Sequence, residues 1–339
     1  MRKTENNGAG VRPPHCFQYL WLHLRRYAIK PLAATPLFNV LMFSAFWAFQ
    51  IFFAKLGFIA GAMVIPFQLM LVVTAMVVLA VLILPKSGSD LVKLSRRHPD
   101  IFWRLFLANG LQAGVGTFLS IIGIALTEAI NAGFLVKVAT VTTILFAWLL
   151  LDENMSGFKI AIVFMMLFGA YLLTTKGQSL LPRVGDFFIL GACVCWSLGN
   201  VLVRKILRTK SVHADVVTIQ KPLASLPVFL ILVGVASSFL PVISGELKDV
   251  LTCCTFSTSY LLYAVGSGFC LAMAWIYLYR TLDVATASYM TLMSMATPII
   301  VSVLALIFLE EKLVGVQIVG GGLIILSGMA IYFSDIAYQ

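Results

Sequence analysis

Apolar runs of about twenty residues follow one another from residue 37 to residue 334, separated by short polar breaks. A hydrocarbon core about 30 Å thick takes roughly 20 apolar residues per helix. Within it, only helices or closed barrels satisfy their own backbone polar groups. The runs predict ten transmembrane helices, over 37–58, 64–84, 102–125, 130–151, 157–175, 185–205, 217–240, 258–280, 284–309 and 313–334. Composition agrees: 60% of the residues are hydrophobic, 11% are charged and the mean hydropathy is +0.99. A water-soluble chain carries roughly a quarter of its residues charged. The expected class is an all-α membrane protein.

The basic residues give the layout a direction. Seventeen of the 24 Lys and Arg fall on one side of the ten-span scheme. Lys55, Lys176, Arg183, Lys248 and Lys312 fall on the other, and Lys137 and Lys221 lie within spans. Positive residues accumulate on the cytoplasmic side. Both termini are therefore expected there, with the multi-pass chain in a cell inner (cytoplasmic) membrane. Residues 1–36, basic and interrupted by Pro13, Pro14, Pro31 and Pro36, are expected as a cytoplasmic tail. The formal net charge of +10 follows from clusters at helix ends, which suit anionic membrane lipids and not nucleic acid. No cofactor or metal is expected. The four histidines lie outside the spans, no zinc-ligand spacing occurs, and Cys193, Cys195 and Cys270 sit in apolar runs, where cysteine packs as a small hydrophobe.

Features of the first half return in the second in the same order. Trp47 is followed eight residues later by Lys55, and Trp196 eight residues later by Arg204; Gln50 and Asn200 place an amide just after each Trp. Asp152-Glu153 precedes Gly157 as Glu310-Glu311 precedes Gly315, 158 residues on. Glu128 and Asp283, before the fourth and ninth spans, are 155 apart, so one of those helices carries about an extra turn. Five spans is an odd number, so the second half enters the membrane from the opposite side. The expectation is two inverted five-helix repeats, 37–175 and 185–334, with a substrate site near the midplane between them.

The patterns Phe46-Trp47…Gln50…Lys55 and Cys195-Trp196…Asn200…Arg204 resemble the first-helix signature of the EamA-type drug/metabolite transporter (DMT) superfamily. Thr297-Pro298…Leu309-Glu310-Glu311-Lys312…Gly315 resembles its second signature. The first repeat departs from the pattern: Thr140 or Thr143 stands where a proline is expected, which removes the reason to expect a break in the fourth helix. The resemblance implies a transporter of amino acids, nucleotide-derived metabolites, vitamins or similar solutes. It also implies a central cavity lined by the first, third, fourth, sixth, eighth and ninth helices.

Helical periodicity names residues on those helices independently. Asn109, Gln112, Gly116, Ser120, Gly123 and Thr127 recur at steps of three or four in the third span, as do Ser288, Thr291, Ser294, Pro298 and Ser302 in the ninth. Phe43, Trp47 and Gln50 share a face of the first, and Cys193, Trp196 and Asn200 a face of the sixth. Such stripes line a hydrated path or, alternatively, let helices pack closely with amides bonding across them. Lys137, about seven residues into the fourth span, is expected to meet a substrate anion or to snorkel outward, with Phe134 and Thr140 on its face. Lys221, just before Pro222, is expected to snorkel to the cytoplasmic surface. Substrate binding is thus assigned to Lys137, Trp47, Gln50, Asn109, Gln112, Phe134, Thr140, Trp196, Asn200, Ser288, Thr291 and Ser294.

None of the 14 carboxylates lies mid-span, and intramembrane proton relays are usually built on such groups. Export, exchange or facilitated uptake of a small-molecule metabolite by alternating access is the expected function, with exchange or facilitated diffusion favoured over a proton pump. A non-transporting membrane scaffold is the alternative. A membrane-embedded enzyme lacks the buried His, Asp or Glu that would activate a nucleophile.

Overall fold

The computed structural model describes residues 35–126, 134–153, 155–178, 183–238, 258–308 and 314–337. The predicted tail apart from Thr35 and Pro36, and the loop acids Glu128, Glu310 and Glu311, lie outside the described residues. Among those described there are helices and no strands.

The helices are α1 Pro36–Ile59, α2 Val64–Leu82, α3 Leu84–Arg97, α4 Pro99–Asn109, α5 Gly116–Ala125, α6 Val138–Leu151, α7 Gly157–Thr175, α8 Val184–Arg208, α9 Ala214–Ser238, α10 Leu261–Val284, α11 Ala287–Met293, α12 Ala296–Phe308 and α13 Gly315–Ala337. A π-helical turn, Gly110–Val115, joins α4 to α5. Local chemistry sets several starts. Thr35 Oγ1 accepts from Phe38 N at 3.2 Å with Pro36 in the first turn, Ser156 caps α7, and Thr286 caps α11.

Eight stretches among the described residues are long and apolar enough to cross a membrane. Two shorter apolar helices, Val138–Leu151 and Gly315–Ala330, fall at the fourth and tenth predicted spans. The polar break between the second and third spans is itself a helix, α3. Leu91 and Leu94 pack it onto the main core while Lys86, Lys93, Arg96 and Arg97 stay largely in solvent. On its outer face the Lys93 ammonium, 2.9 Å from the Asp90 carboxylate, holds that carboxyl below its ordinary range.

The ninth span is broken at Ser294-Met295 into α11 and α12. Pro298 accounts for this: it has no N–H to donate, and its ring crowds the carbonyl four residues back, that of Ser294. The fourth span is broken too, at Val136-Lys137, with Thr140 where the proline would be. The two breaks share their hydrogen bonds. Lys137 N–H donates to Phe134 O and Ala139 N–H to Val136 O; Met295 N–H donates to Leu292 O and Thr297 N–H to Ser294 O, each 158 residues later. Side chains of α8 reach carbonyls on both sides of the fourth-span break: the Cys193 thiol lies 3.4 Å from Leu135 O and Ser197 Oγ donates to Ala139 O at 2.9 Å. A neighbouring helix thus helps to satisfy backbone groups around the break.

Packing runs mostly between the halves. In the first half, α1 packs chiefly on α10; in the second, α8 packs on α5 and its flanking turn. The pair α2–α10 is matched by α9 with the π turn and α4, and the pair α6–α8 by α12–α1. The remaining large contact, α7–α13, joins the last helix of each half. There the backbones touch: a Cβ on Gly169 would stand 2.8 Å from Gly320 O, and one on Gly320 2.6 Å from Gly169 O. Gly320→Leu is expected to force α7 and α13 apart at a cost of about 1–3 kcal/mol, read as a lower Tm of the detergent-solubilised protein. An unchanged Tm would mean the two helices do not cross at these glycines.

Candidate functional site

The polar stripe of the third span leads to the largest buried polar cluster described. Asn109 is fully buried and Gln112 nearly so. Gln112 sits in the π turn, whose wider ring re-aims a side chain and recurs at functional positions. α8 comes close enough to meet it because Gly199 has no side chain: a Cβ there would lie 2.5 Å from Gln112 Cβ and 2.8 Å from Ala108 O.

Three helices converge on Gln112. Its Oε1 accepts from Lys221 Nζ of α9 at 3.0 Å and lies 3.2 Å from the Tyr279 hydroxyl of α10. Its Nε2 donates to Asn200 Oδ1 of α8. The Tyr279 hydroxyl donates to Asn109 Oδ1 at 2.7 Å, and Asn109 Nδ2 is buried without a partner among the described residues. The Lys221 ammonium lies 5.0 Å from the Trp275 ring centroid and 5.1 Å from that of Tyr279, within cation–π range.

Lys221 therefore does not snorkel. It is 3% exposed, because α9 begins at Ala214, about two turns before it, and α10 covers it with aromatic rings. No carboxylate faces it among the described residues. A charge at such depth costs on the order of 2.5–3.5 kcal/mol or more, and here amide and ring faces offset it.

A smaller node sits at the matched interface. Gln50 Nε2 of α1 donates to Ser267 Oγ of α10 at 3.3 Å, and Ser267 Oγ donates back to Gln50 O at 3.1 Å. Ser267 and Gln112 are 155 residues apart, the spacing that relates Glu128 to Asp283. Gln50 also borders an open cavity of about 530 Å³ with Ile51, Ala54, Lys55, Phe58 and Ile59.

The other residues named from the sequence are dispersed. Trp47 is half-buried and stacked on Phe43, ring centroids 5.6 Å apart. Trp196 covers Gly116, where a Cβ would come within 2.7 Å of the indole. Lys137 stands half-buried at the start of α6, in the break and not within a continuous helix, and its ammonium has no hydrogen-bond or ion-pair partner among the described residues. Phe134 meets Tyr171 edge to face at 5.5 Å, and Thr140 is buried. Ser294 Oγ donates to Thr291 O at 2.7 Å, at the end of α11 where the ninth span breaks.

Ser288 belongs elsewhere. Its hydroxyl donates to Glu153 Oε2 at 2.6 Å, and Glu153 also accepts from Ala287 N at 3.0 Å and Ser288 N at 3.2 Å. A carboxylate from the first half thus caps the N-terminus of α11 in the second, where the helix dipole favours it. Asp152, at φ 54°, ends α6 just before it. Around this cap, Arg204 donates to Leu282 O at 2.6 Å, Arg208 to Leu151 O at 2.6 Å, and Lys210 pairs with Asp283 at 2.6 Å. The result is a charged lattice that ties together the ends of α6, α8, α10 and α11.

Sequence reasoning missed Tyr279 and Trp275, undervalued Lys221, and read Glu153 only as one of a matched set of loop carboxylates. Trp275 and Tyr279 are four apart on one face of the eighth span, a signal that was available. The partner of Glu153 lies 135 residues away and was not.

A family model described as the EamA-like transporter family matches residues 35–175 and again 183–333. No curated protein matches the chain. A solved crystal structure, described only as that of a protein, aligns over 86% of this chain and 96% of that one with a TM-score of 0.60 at 17% identity. At that identity the likeness shows the fold alone.

Gln112→Leu would strip the acceptor from Lys221 while leaving the charge buried, and is expected to destabilise by about 3 kcal/mol. Lys221→Met removes the charge together with its need for a partner and is expected to cost distinctly less. Thermal unfolding in one detergent compares them; equal losses would mean that Lys221 is not held by Gln112.

Proposed function

From the premise that this chain belongs to the EamA-like transporter family, and so is a membrane transporter of the DMT superfamily, we propose that it exchanges a small organic metabolite by alternating access between two inverted five-helix repeats, 37–175 and 185–334. The solute is an amino acid, nucleoside-type metabolite or vitamin. The chain is multi-pass in a cytoplasmic membrane, both termini inside.

The observation that carries this reading is the mirrored packing. Each major contact between halves either has a counterpart with the helix roles exchanged or joins equivalent helices, and both half-broken helices share their hydrogen bonds at one spacing. Exchange of roles means that a rearrangement opening one end is available, by the same symmetry, at the other. Discontinuous helices at a repeat interface are where transporters bind solutes. The cluster of Gln112, Asn200, Asn109, Tyr279 and Lys221 lies on third-, sixth-, seventh- and eighth-span helices and is the binding region of this reading, with Lys137, Phe134 and Thr140 at the break of the fourth.

The charged lattice around Glu153 closes the end that the positive residues mark as cytoplasmic, so it acts as an inner gate. Purified protein in liposomes should give saturable uptake stimulated by internal unlabelled solute. Glu153→Ala should lower maximal exchange at least tenfold with KM within twofold of the parent. A raised KM at unchanged maximal rate would place Glu153 in solute binding and not in the gate.

A further inference from the structure

With Lys221 carrying its proton, the hydrogen-bond chain that starts from it has one polarity. An ammonium has three donors and no acceptor, so the atom of Gln112 that faces it must be Oε1. That turns Gln112 Nε2 toward α8, where it needs an acceptor, so the atom of Asn200 it meets must be Oδ1. The Asn200 amide is then left with its N–H2 pointing onward. Asn200 is half-exposed whereas Lys221 and Gln112 are buried, and its Nδ2 has no partner among the described residues. Each bond in such a chain polarises the next, so a buried charge is relayed as a strengthened donor to the half-exposed end of the chain at Asn200. Tyr279 adds to the one-way order, since its proton goes to Asn109 Oδ1.

Resting on the transport reading above, we propose that Asn200 Nδ2 is the contact for an anionic oxygen of the solute, and that Lys221, acting through Gln112, is the positioning residue that makes the site select a carboxylate over its neutral amide. The uncompensated ammonium supplies the sign of the field, and the amide chain supplies its direction. Lys221 does not touch the solute. Its three fixed neighbours leave Asn200 no choice of flip, so a solute group that itself donates finds no acceptor here. Loss of a hydrogen-bond partner in a built polar site discriminates more strongly than a misfitted methylene.

The test is counterflow in liposomes with matched labelled pairs, benzoate against benzamide and glutamate against glutamine. The parent protein should prefer the carboxylate at least tenfold. Asn200→Asp keeps size but presents an acceptor, and should reverse or abolish the preference. Lys221→Gln, the milder test of the relay, should reduce the preference to within about twofold. A preference unchanged in both folded variants, or a parent that favours the amides, overturns the assignment while leaving transport intact. Absence of stimulated flux for every pair overturns the transport reading as well, so the two failures are distinguishable.

Discussion

In hydrocarbon a polar group cannot fall back on water, and the Lys221 ammonium is where this molecule meets that constraint most sharply. Its charge is buried against Gln112 of the third span and Trp275 and Tyr279 of α10, groups far from it in the chain. To hold them, α4 must widen into a π turn, α8 must approach at Gly199, and α10 must bring Tyr279 down between Asn109 and Gln112. The third span of one half is thereby locked to three helices of the other. A cluster of this kind trades stability for a fixed arrangement, since an apolar replacement of similar volume is often no less stable.

The same rule explains both helix breaks. Pro298 frees the Ser294 carbonyl in the ninth span, and short-range bonds reform around it. The fourth span shows the same local bonding with no proline, its carbonyls met by Cys193 and Ser197 of α8. A break that rests on a neighbouring helix depends on that helix staying in place. This couples the local geometry at Lys137 to the α6–α8 contact, and so to any relative movement of the halves.

Much of the plan was legible in the sequence because it is written in local terms. Spans follow from apolar length, and the spacing of 158 residues between Asp152-Glu153 and Glu310-Glu311 reappears in the bonding of the two breaks. Asn109, Gln112 and Asn200 were found by period and do come together. What failed depended on distant partners. Lys221 was expected at the surface because its sequence position permits snorkelling, but what covers it is α10, more than fifty residues on. Ser288 was named from its polar stripe, and the carboxylate it bonds, Glu153, comes from the other half. The break at Val136-Lys137 had no proline to announce it.

The central claim is that one polar cluster is reached from both membrane faces in turn. It is tested most directly by Asn200→Cys on a background without reactive native cysteines, in oriented vesicles, labelled with a membrane-impermeant thiol reagent from each side. The account predicts labelling from both sides, with Glu153→Ala raising it from the inner face and lowering it from the outer. Labelling from a single face, unaffected by that substitution, would contradict it.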